Sequence, residues 1–309
     1  MSKLSIVVPV FNEEEAIPIF FQAIERVHQN LSEYDFEYWF IDDGSTDQSM
    51  SAIKQLQTQS EWVHYVQFSR NFGKEAAIYA GLEHASGDYV ALMDVDLQDP
   101  PELLPEMLDG VASDEWDMVG SRRINRVGEP PVRTFFSNLF YKLINKISAT
   151  HLVNGARDYR VMNRQVVNAI LSDGEYNRFS KGIVAWVGFR QKYIPFENVE
   201  RVAGKTSWSF WSLLKYSVEG IVAFSQVPLT VIGILGVVSF ITSIIGALLI
   251  FLRALLVPHS AVGGWPSLVV IILFMGGIQL LSLGIVGRYV AAIYLETKHR
   301  PIYIAREVK

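Results

Sequence analysis

An α/β fold is what this sequence predicts: a doubly wound, parallel sheet, then an amphipathic helix and two membrane-crossing helices. Three observations carry that prediction. Short apolar runs rich in β-formers alternate with helical stretches over the first two-thirds of the chain. Acidic and polar clusters stand directly after those runs, where the carboxyl ends of parallel strands gather a ligand. Two long stretches near the C-terminus, 229–252 and 268–287, hold no charged residue at all. Each of these can cross roughly 30 Å of hydrocarbon as a helix.

Composition agrees. The 309 residues are 50% hydrophobic, and the mean hydropathy of +0.21 is high for a soluble enzyme of this size. The net charge of −5 hides a split: residues 1–120 hold 5 Lys and Arg against 23 Asp and Glu, and residues 121–309 hold 22 against 9. An acidic pole can gather metal ions, and a basic one suits phosphate groups or an anionic membrane surface. No nucleic-acid recognition motif accompanies it. With no cysteine, disulfides and thiolate chemistry are excluded. The chain opens on a strand pattern rather than on a signal peptide.

The first strand is Leu4 to Val10, followed by Phe11-Asn12-Glu13 and a helix from about Glu14 to Leu31. Phe36 to Ile41 is the second strand and ends in Asp42-Asp43-Gly44-Ser45-Thr46-Asp47, where Gly44 permits a tight turn and Ser45, Thr46 or Asp47 can cap the next helix. Val63 to Phe68 is the third strand, Gly73 to Ala85 a helix, and Tyr89 to Asp94 the fourth strand. Along a strand side chains alternate, so Asp94 and Asp96 project to one side with Gln98 a step further. Oxygen-only donors of this kind suit Mg²⁺ or Mn²⁺ completed by the phosphates of a nucleotide diphosphate. A solvated acidic loop is the plainer alternative, and Asp99 before Pro100-Pro101 looks like the cap of the helix that starts there. Neither a Gly-x-Gly-x-x-Gly fingerprint nor a P-loop string occurs.

In order, Val8-Pro9-Val10-Phe11-Asn12-Glu13, Asp42 to Asp47, Arg70-Asn71-Phe72-Gly73-Lys74 and Asp94-Val95-Asp96-Leu97-Gln98 resemble the family 2 glycosyltransferases of GT-A fold. Within that family the likeness is to polyprenyl-phosphate glycosyltransferases, the dolichyl-phosphate mannose synthases and bactoprenol glucosyltransferases. The resemblance implies that Pro9, Phe11, Glu13, Asp42, Lys74 and Asp94 hold the nucleotide sugar. It makes Asp94, Asp96 and Gln98 the metal ligands and Asp96 and Asp158 the catalytic acids, with Asp158 a candidate base near the acceptor. Physically, Asp42 can accept from a base N–H or a ribose hydroxyl, while Asp158, between Arg157 and Arg160, reads equally as a structural ion pair.

Asp117 to Gly120 is a further strand, and Ser121 to Arg133 is a Gly- and Pro-containing loop with four arginines. Such a loop is phosphate-seeking or simply solvated near a membrane. By resemblance Arg122, Arg133 and Ser137 grip a lipid phosphate, joined by Arg201; Lys205 is a displaced version of a family lysine whose place is taken here by Ser207. The helix holding Phe135, Phe136, Leu139, Phe140, Leu143 and Ile144 can lean on lipid or on the core. Asn154 to Met162 reads as a strand entering the site, Arg178 to Trp186 as a helix, and Gln191 to Phe196 as a strand.

The expected organisation is a catalytic domain over 1–206, an interfacial helix over 207–227, a two-helix membrane region over 228–290 with spans near 229–253 and 267–288, and a tail over 291–309. Two tryptophans, Trp208 and Trp211, suit the interfacial helix to a membrane surface. Arg288, Lys298, Arg300, Arg306 and Lys309 follow the second span, and no Lys or Arg stands between 254 and 287. The positive-inside rule then puts the catalytic domain in the cytoplasm of a multi-pass inner (plasma) membrane protein, against the one contrary charge of Arg253. Gly233, Gly236, Gly277 and Gly284 could pack helices or equally be incidental, so a homo-oligomer stays open.

The function expected is inverting, metal-dependent transfer of a hexose, glucose from UDP-glucose first, to polyprenyl (undecaprenyl) phosphate for a cell-envelope glycan. GDP-mannose is the alternative donor. A processive polysaccharide synthase is disfavoured by having only two spans and no Gln-x-x-Arg-Trp string after Asp158. A non-catalytic nucleotide sensor is disfavoured by the intact acidic motif.

Overall fold

The structure is a computed structural model that describes residues 1–124, 131–148, 150–197, 210–256 and 264–309. One eight-stranded sheet organises the catalytic part, in the order β7-β5-β6-β4-β1-β2-β3-β8. Its parallel centre is β1 (Ser2–Val10), β2 (Tyr34–Asp42), β3 (Val63–Phe68) and β4 (Tyr89–Leu92). The helices α1 (Ala16–His28), α2 (Ser49–Gln59) and α3 (Lys74–His84) supply the crossovers. Strands buried on both faces need continuous apolar sequence. Leu4, Ile6, Val7, Val8, Phe40, Ile41 and Val66 satisfy that requirement and are fully buried.

The wholly parallel expectation fails on the other half of the sheet. After α4 (Leu104–Ala112) and β5 (Met118–Arg123), helix α5 (Pro131–Ile147) leaves the sheet, and β6 (Ala156–Asn163) returns antiparallel to both β4 and β5. The helices α6 (Arg164–Ser172) and α7 (Ser180–Trp186) lead to β7 (Gln191–Phe196), parallel to β5. Because β6 runs backwards, its first residues lie at the same end of the sheet as the carboxyl ends of β1, β2 and β4. Gly155, at φ +83°, lets this entry pass close to β5: a Cβ there would meet the Arg123 carbonyl oxygen at 2.6 Å.

Helix α5 leans on the core along part of its surface. Ile144 is buried against Leu152 and Phe179, with Phe140 and Tyr141 packed beside it. Phe136, Leu139 and Leu143 stay exposed. The later part of α8 (Phe210–Phe224) also packs on the catalytic domain, through Ile221 and Phe224.

The uncharged runs become α9 (Val227–Leu256) and α10 (Trp265–Thr297). Two stretches, Val227–Leu252 and Leu268–Thr297, are long and apolar enough to cross a membrane. Both helices overrun the spans expected from sequence, and the boundary drawn at 290 falls inside α10. A 33-residue helix is about 50 Å long, more than the roughly 30 Å of a hydrocarbon layer. That excess carries it back to the catalytic domain. Tyr289 donates to the Ser225 carbonyl at 2.7 Å, and the Glu296 carboxylate accepts from the backbone N–H groups of Tyr176 and Asn177. The last residues form β8 (Ala305–Val308), an antiparallel edge strand on β3. Tyr303 stacks on Phe68 with ring centroids 4.8 Å apart.

Candidate active site

The loops after β1 and β2 interlock. Asn12, at φ +55°, accepts from the Thr46 N–H at 2.8 Å and gives its own N–H to Ser45 Oγ at 2.9 Å. The Glu13 N–H donates to Ser49 Oγ at 2.8 Å. Asp47 accepts from the Ser49 N–H at 2.9 Å, just ahead of α2. Pro9 is the penultimate residue of β1, and Phe11, just past its end, projects with 39% of its surface exposed.

Asp42, the last residue of β2, and Asp43 just beyond it divide their tasks. Asp43 accepts from the backbone N–H groups of Phe72 and Gly73, so it shapes the Arg70–Gly73 loop and the start of α3. Burial pushes its carboxyl up to about 6, against the pull of those two N–H groups. Gly44, at φ +70°, sits against the same loop, and a Cβ there would stand 2.5 Å from the Arg70 carbonyl carbon. Asp42 is fully buried: Oδ1 accepts from the Ser45 N–H at 3.1 Å, while Oδ2 has no partner among the described residues. Burial raises its pKa as well. A buried carboxylate oxygen without a donor costs free energy unless a ligand supplies one.

The acidic motif departs from its expected geometry. Strand β4 stops at Leu92, and its ladder ends with the Met93 N–H on the Val7 carbonyl at 2.9 Å. Residues beyond form a turn with Leu97 at φ +54°, so strand alternation does not orient Asp94, Asp96 and Gln98. The turn does that instead, with Asp96 Oδ1 accepting the Gln98 N–H at 3.1 Å. Asp99 is not a helix cap either. Pro101 has no N–H to give it, and its carboxylate accepts from Arg157 Nε at 3.0 and 3.3 Å.

Lys74, at the head of α3, joins the acidic turn to β6. Its Nζ lies 2.7 Å from Asp94 Oδ1 and 2.6 Å from Asp158 Oδ2. Burial favours neutrality for both partners, yet their attraction wins. Lys74 is held above its ordinary pKa, and Asp158, with Lys181 and Arg160 also near, well below the usual carboxylate range. Arg160 Nη2 is 3.8 Å from Asp158 Oδ1 and also donates to the Arg157 carbonyl. The sequence-stated neighbours of Asp158 are therefore split: Arg157 turns away to Asp99, and Lys74, distant in sequence, takes its place.

On the rim, Arg122 is exposed and its Nε donates to the Asn154 carbonyl at 3.0 Å. Ser137 is half-buried in α5, and Arg133 falls in the first turn of that helix. Arg201 and Lys205 lie outside the described residues. Sequence reasoning passed over Lys181 and placed Arg157 beside Asp158 rather than on Asp99. The signal for Arg157 was the Asp-Pro-Pro string, which leaves Asp99 short of backbone donors.

Among the described residues, no group of three or more His, Cys, Asp or Glu could hold a metal ion by itself. The donors at the acidic turn are two carboxylates and one amide, all oxygen. That chemistry fits Mg²⁺ or Mn²⁺ once a substrate diphosphate completes the shell.

Residues 5–171 match the family described as glycosyl transferase family 2. Bactoprenol glucosyl transferase of Shigella phage SfV is 44% identical over 312 residues, covering 99% of each chain. The prophage bactoprenol glucosyl transferase homolog of Escherichia coli K12 is 42% identical, again over 99% of each. Among solved structures, glucosyl-3-phosphoglycerate synthase of Mycobacterium tuberculosis, held with Mn²⁺, UDP and glucosyl-3-phosphoglycerate, superposes with TM-score 0.51 at 18% identity. That likeness covers 72% of this chain and 78% of the other, and it is one of fold.

Proposed function

This chain belongs to glycosyl transferase family 2 and is a glycosyltransferase; on that footing we propose that it transfers glucose from UDP-glucose to the phosphate of a membrane polyprenol. The carrying observation is the Asp94–Lys74–Asp158 chain at the carboxyl end of the sheet, in a polypeptide that also holds two membrane-length helices. Full-length likeness to two bactoprenol glucosyl transferases supports glucose and a polyprenol over other pairs.

Asp42 offers its unpartnered oxygen to a donor of the nucleoside. Phe11, Pro9 and Glu13 line the same loop. Asp94, Asp96 and Gln98 hold Mg²⁺ or Mn²⁺, which when bound offsets negative charge on the departing diphosphate. Lys74 is already charged and oriented beside that turn, so it stabilises the same charge without reorganisation. The acceptor is a phosphate monoester whose second pKa is about 6, so it is largely ionised at neutral pH and needs no base. Asp158, held ionised by three cations, takes a proton poorly and serves to aim Lys74. Arg122, Arg133, Ser137, Arg201 and Lys205 are assigned to the acceptor phosphate, which they hold in line with the anomeric carbon. One displacement inverts that carbon, so an α-linked donor gives a β-linked lipid phosphate.

The catalytic domain is assigned to the cytoplasmic side of the inner membrane. Positive charges follow α10; Ser225, just ahead of α9, donates to the Ile147 carbonyl of α5, and Glu296 near the end of α10 accepts from the Tyr176 and Asn177 amides.

Purified full-length protein is given radiolabelled UDP-glucose, undecaprenyl phosphate and Mn²⁺. Label appearing in a chloroform-soluble, acid-labile product supports the proposal. Label from GDP-mannose alone reassigns the sugar. Tight UDP binding with no turnover of any sugar nucleotide, or an α-linked product, overturns it.

A further inference from the structure

The turn bearing Asp94, Asp96 and Gln98 is tied to β6 by one guanidinium. Arg157, the second residue of β6, donates from Nε to both oxygens of Asp99 and from Nη2 to Gln98 Oε1 at 3.4 Å. The Asp99 side chain is 1% exposed and that of Arg157 25%. Two features of this contact are chemical rather than merely adhesive. An amide carries one acceptor atom, and against a guanidinium only that oxygen can face inward, since the NH₂ would set donor against donor. The Gln98 amide is thereby fixed in one of its two flips. An amide oxygen has two lone pairs, so the one not given to Arg157 remains for a cation. Asp99, in turn, is spent on Arg157 and is no additional ligand.

We propose that Arg157 is a positioning residue for the divalent-cation site: a single guanidinium, braced on Asp99, sets the Gln98 oxygen and the shape of the turn that presents Asp94 and Asp96. This rests on the reading of Asp94, Asp96 and Gln98 as the cation's ligands. It gives Arg157 no contact with substrate. A lysine cannot substitute, because an ammonium is a point charge without the planar fork that reaches two acceptors along one edge. Residues that orient metal ligands typically alter metal affinity by about 10- to 100-fold when changed.

The test is Mn²⁺ binding to the full chain in detergent, read as loss of the free-ion electron-spin-resonance signal, with UDP present. UDP affinity is measured separately without metal. Arg157→Lys is expected to weaken Mn²⁺ about tenfold or more while metal-free UDP affinity stays within about twofold. Arg190→Lys, altering an exposed arginine that pairs with Asp117, is expected to leave both unchanged. The double variant Arg157→Gln with Asp99→Asn removes both charges of the buried pair; it keeps the test valid should Arg157→Lys fail to fold, and it too is expected to bind Mn²⁺ weakly. Wild-type Mn²⁺ affinity in either folded variant overturns the proposal. If the wild-type chain with UDP takes up no Mn²⁺, the ligand reading itself fails.

Discussion

Lys74 Nζ stands 2.6 Å from Asp158 Oδ2 and 2.7 Å from Asp94 Oδ1, linking residues that lie 84 and 20 positions away in the chain. Replacing it by methionine leaves two carboxylates facing each other across the site. Transfer to lipid is expected to fall roughly a hundredfold in kcat, the usual cost of losing one preorganised charge. Steady-state rates of lipid-product formation check this, and a change below about threefold would remove Lys74 from the chemistry.

Asp158 is placed to aim Lys74 rather than to take a proton. Below pH of about 6 the acceptor phosphate gains a proton and the rate is expected to drop. That acid limb belongs to the acceptor, so Asp158→Asn lowers the plateau but leaves the limb where it was. A limb that vanishes in Asp158→Asn would make the carboxylate a base.

Asp42 presents one buried oxygen without a partner. Asp42→Asn is expected to weaken UDP about tenfold to a hundredfold, the value of a hydrogen bond to a charged group. Melting of the ligand-free protein should not fall, because burial already disfavours this charge. Calorimetric UDP titration and a melting curve measure the two halves.

Glu37 lies at the opposite end of the sheet, 2% exposed, and accepts from Ser5 Oγ, Ser86 N–H, Ser86 Oγ and Lys3 Nζ. Burial alone would raise its pKa; the Lys3 and serine contacts outweigh that and bring it from 4.5 to about 2. A depressed carboxyl contributes stability that is present above its unfolded pKa and lost as pH falls from about 4.5 towards 2. The amount is roughly 3 kcal/mol. Glu37→Gln should therefore melt lower than wild type at pH 7, with the gap closing at low pH. A gap independent of pH would refute the assignment.

Tyr303 anchors the C-terminal segment: it stacks on Phe68, donates to Glu83 Oε2 at 2.5 Å and meets His84 Nε2 at 3.1 Å. Tyr303→Ala is expected to cost about 2 kcal/mol and to lower Tm by about 5 °C; Tyr303→Phe, which keeps the stack, should cost under about 1 kcal/mol. Thermal scans of the two variants make the comparison.

Local pattern made much of this molecule legible. The strands at 63–68 and 191–196 coincide with their sequence-based limits, since runs of β-formers between turn residues admit few alternatives. The long helices announce themselves by lacking charge. Direction was harder to read. Strand β6 has the apolar content of a parallel neighbour, and only the detour of α5 away from the sheet turns it round. The C-terminal residues 305–308 look like a basic tail, yet an open edge on β3 recruits them as a strand.

Sequence alone was enough for the class of fold, the family motifs and the two membrane-length helices, because hydrophobic period and adjacent residue types are local properties. Tertiary structure alone chose the partners: Lys74 for Asp158, Arg157 for Asp99, Glu296 for the Tyr176 and Asn177 amides. Charges pair according to distance and burial in the folded chain, and neither quantity is written in the order of the residues.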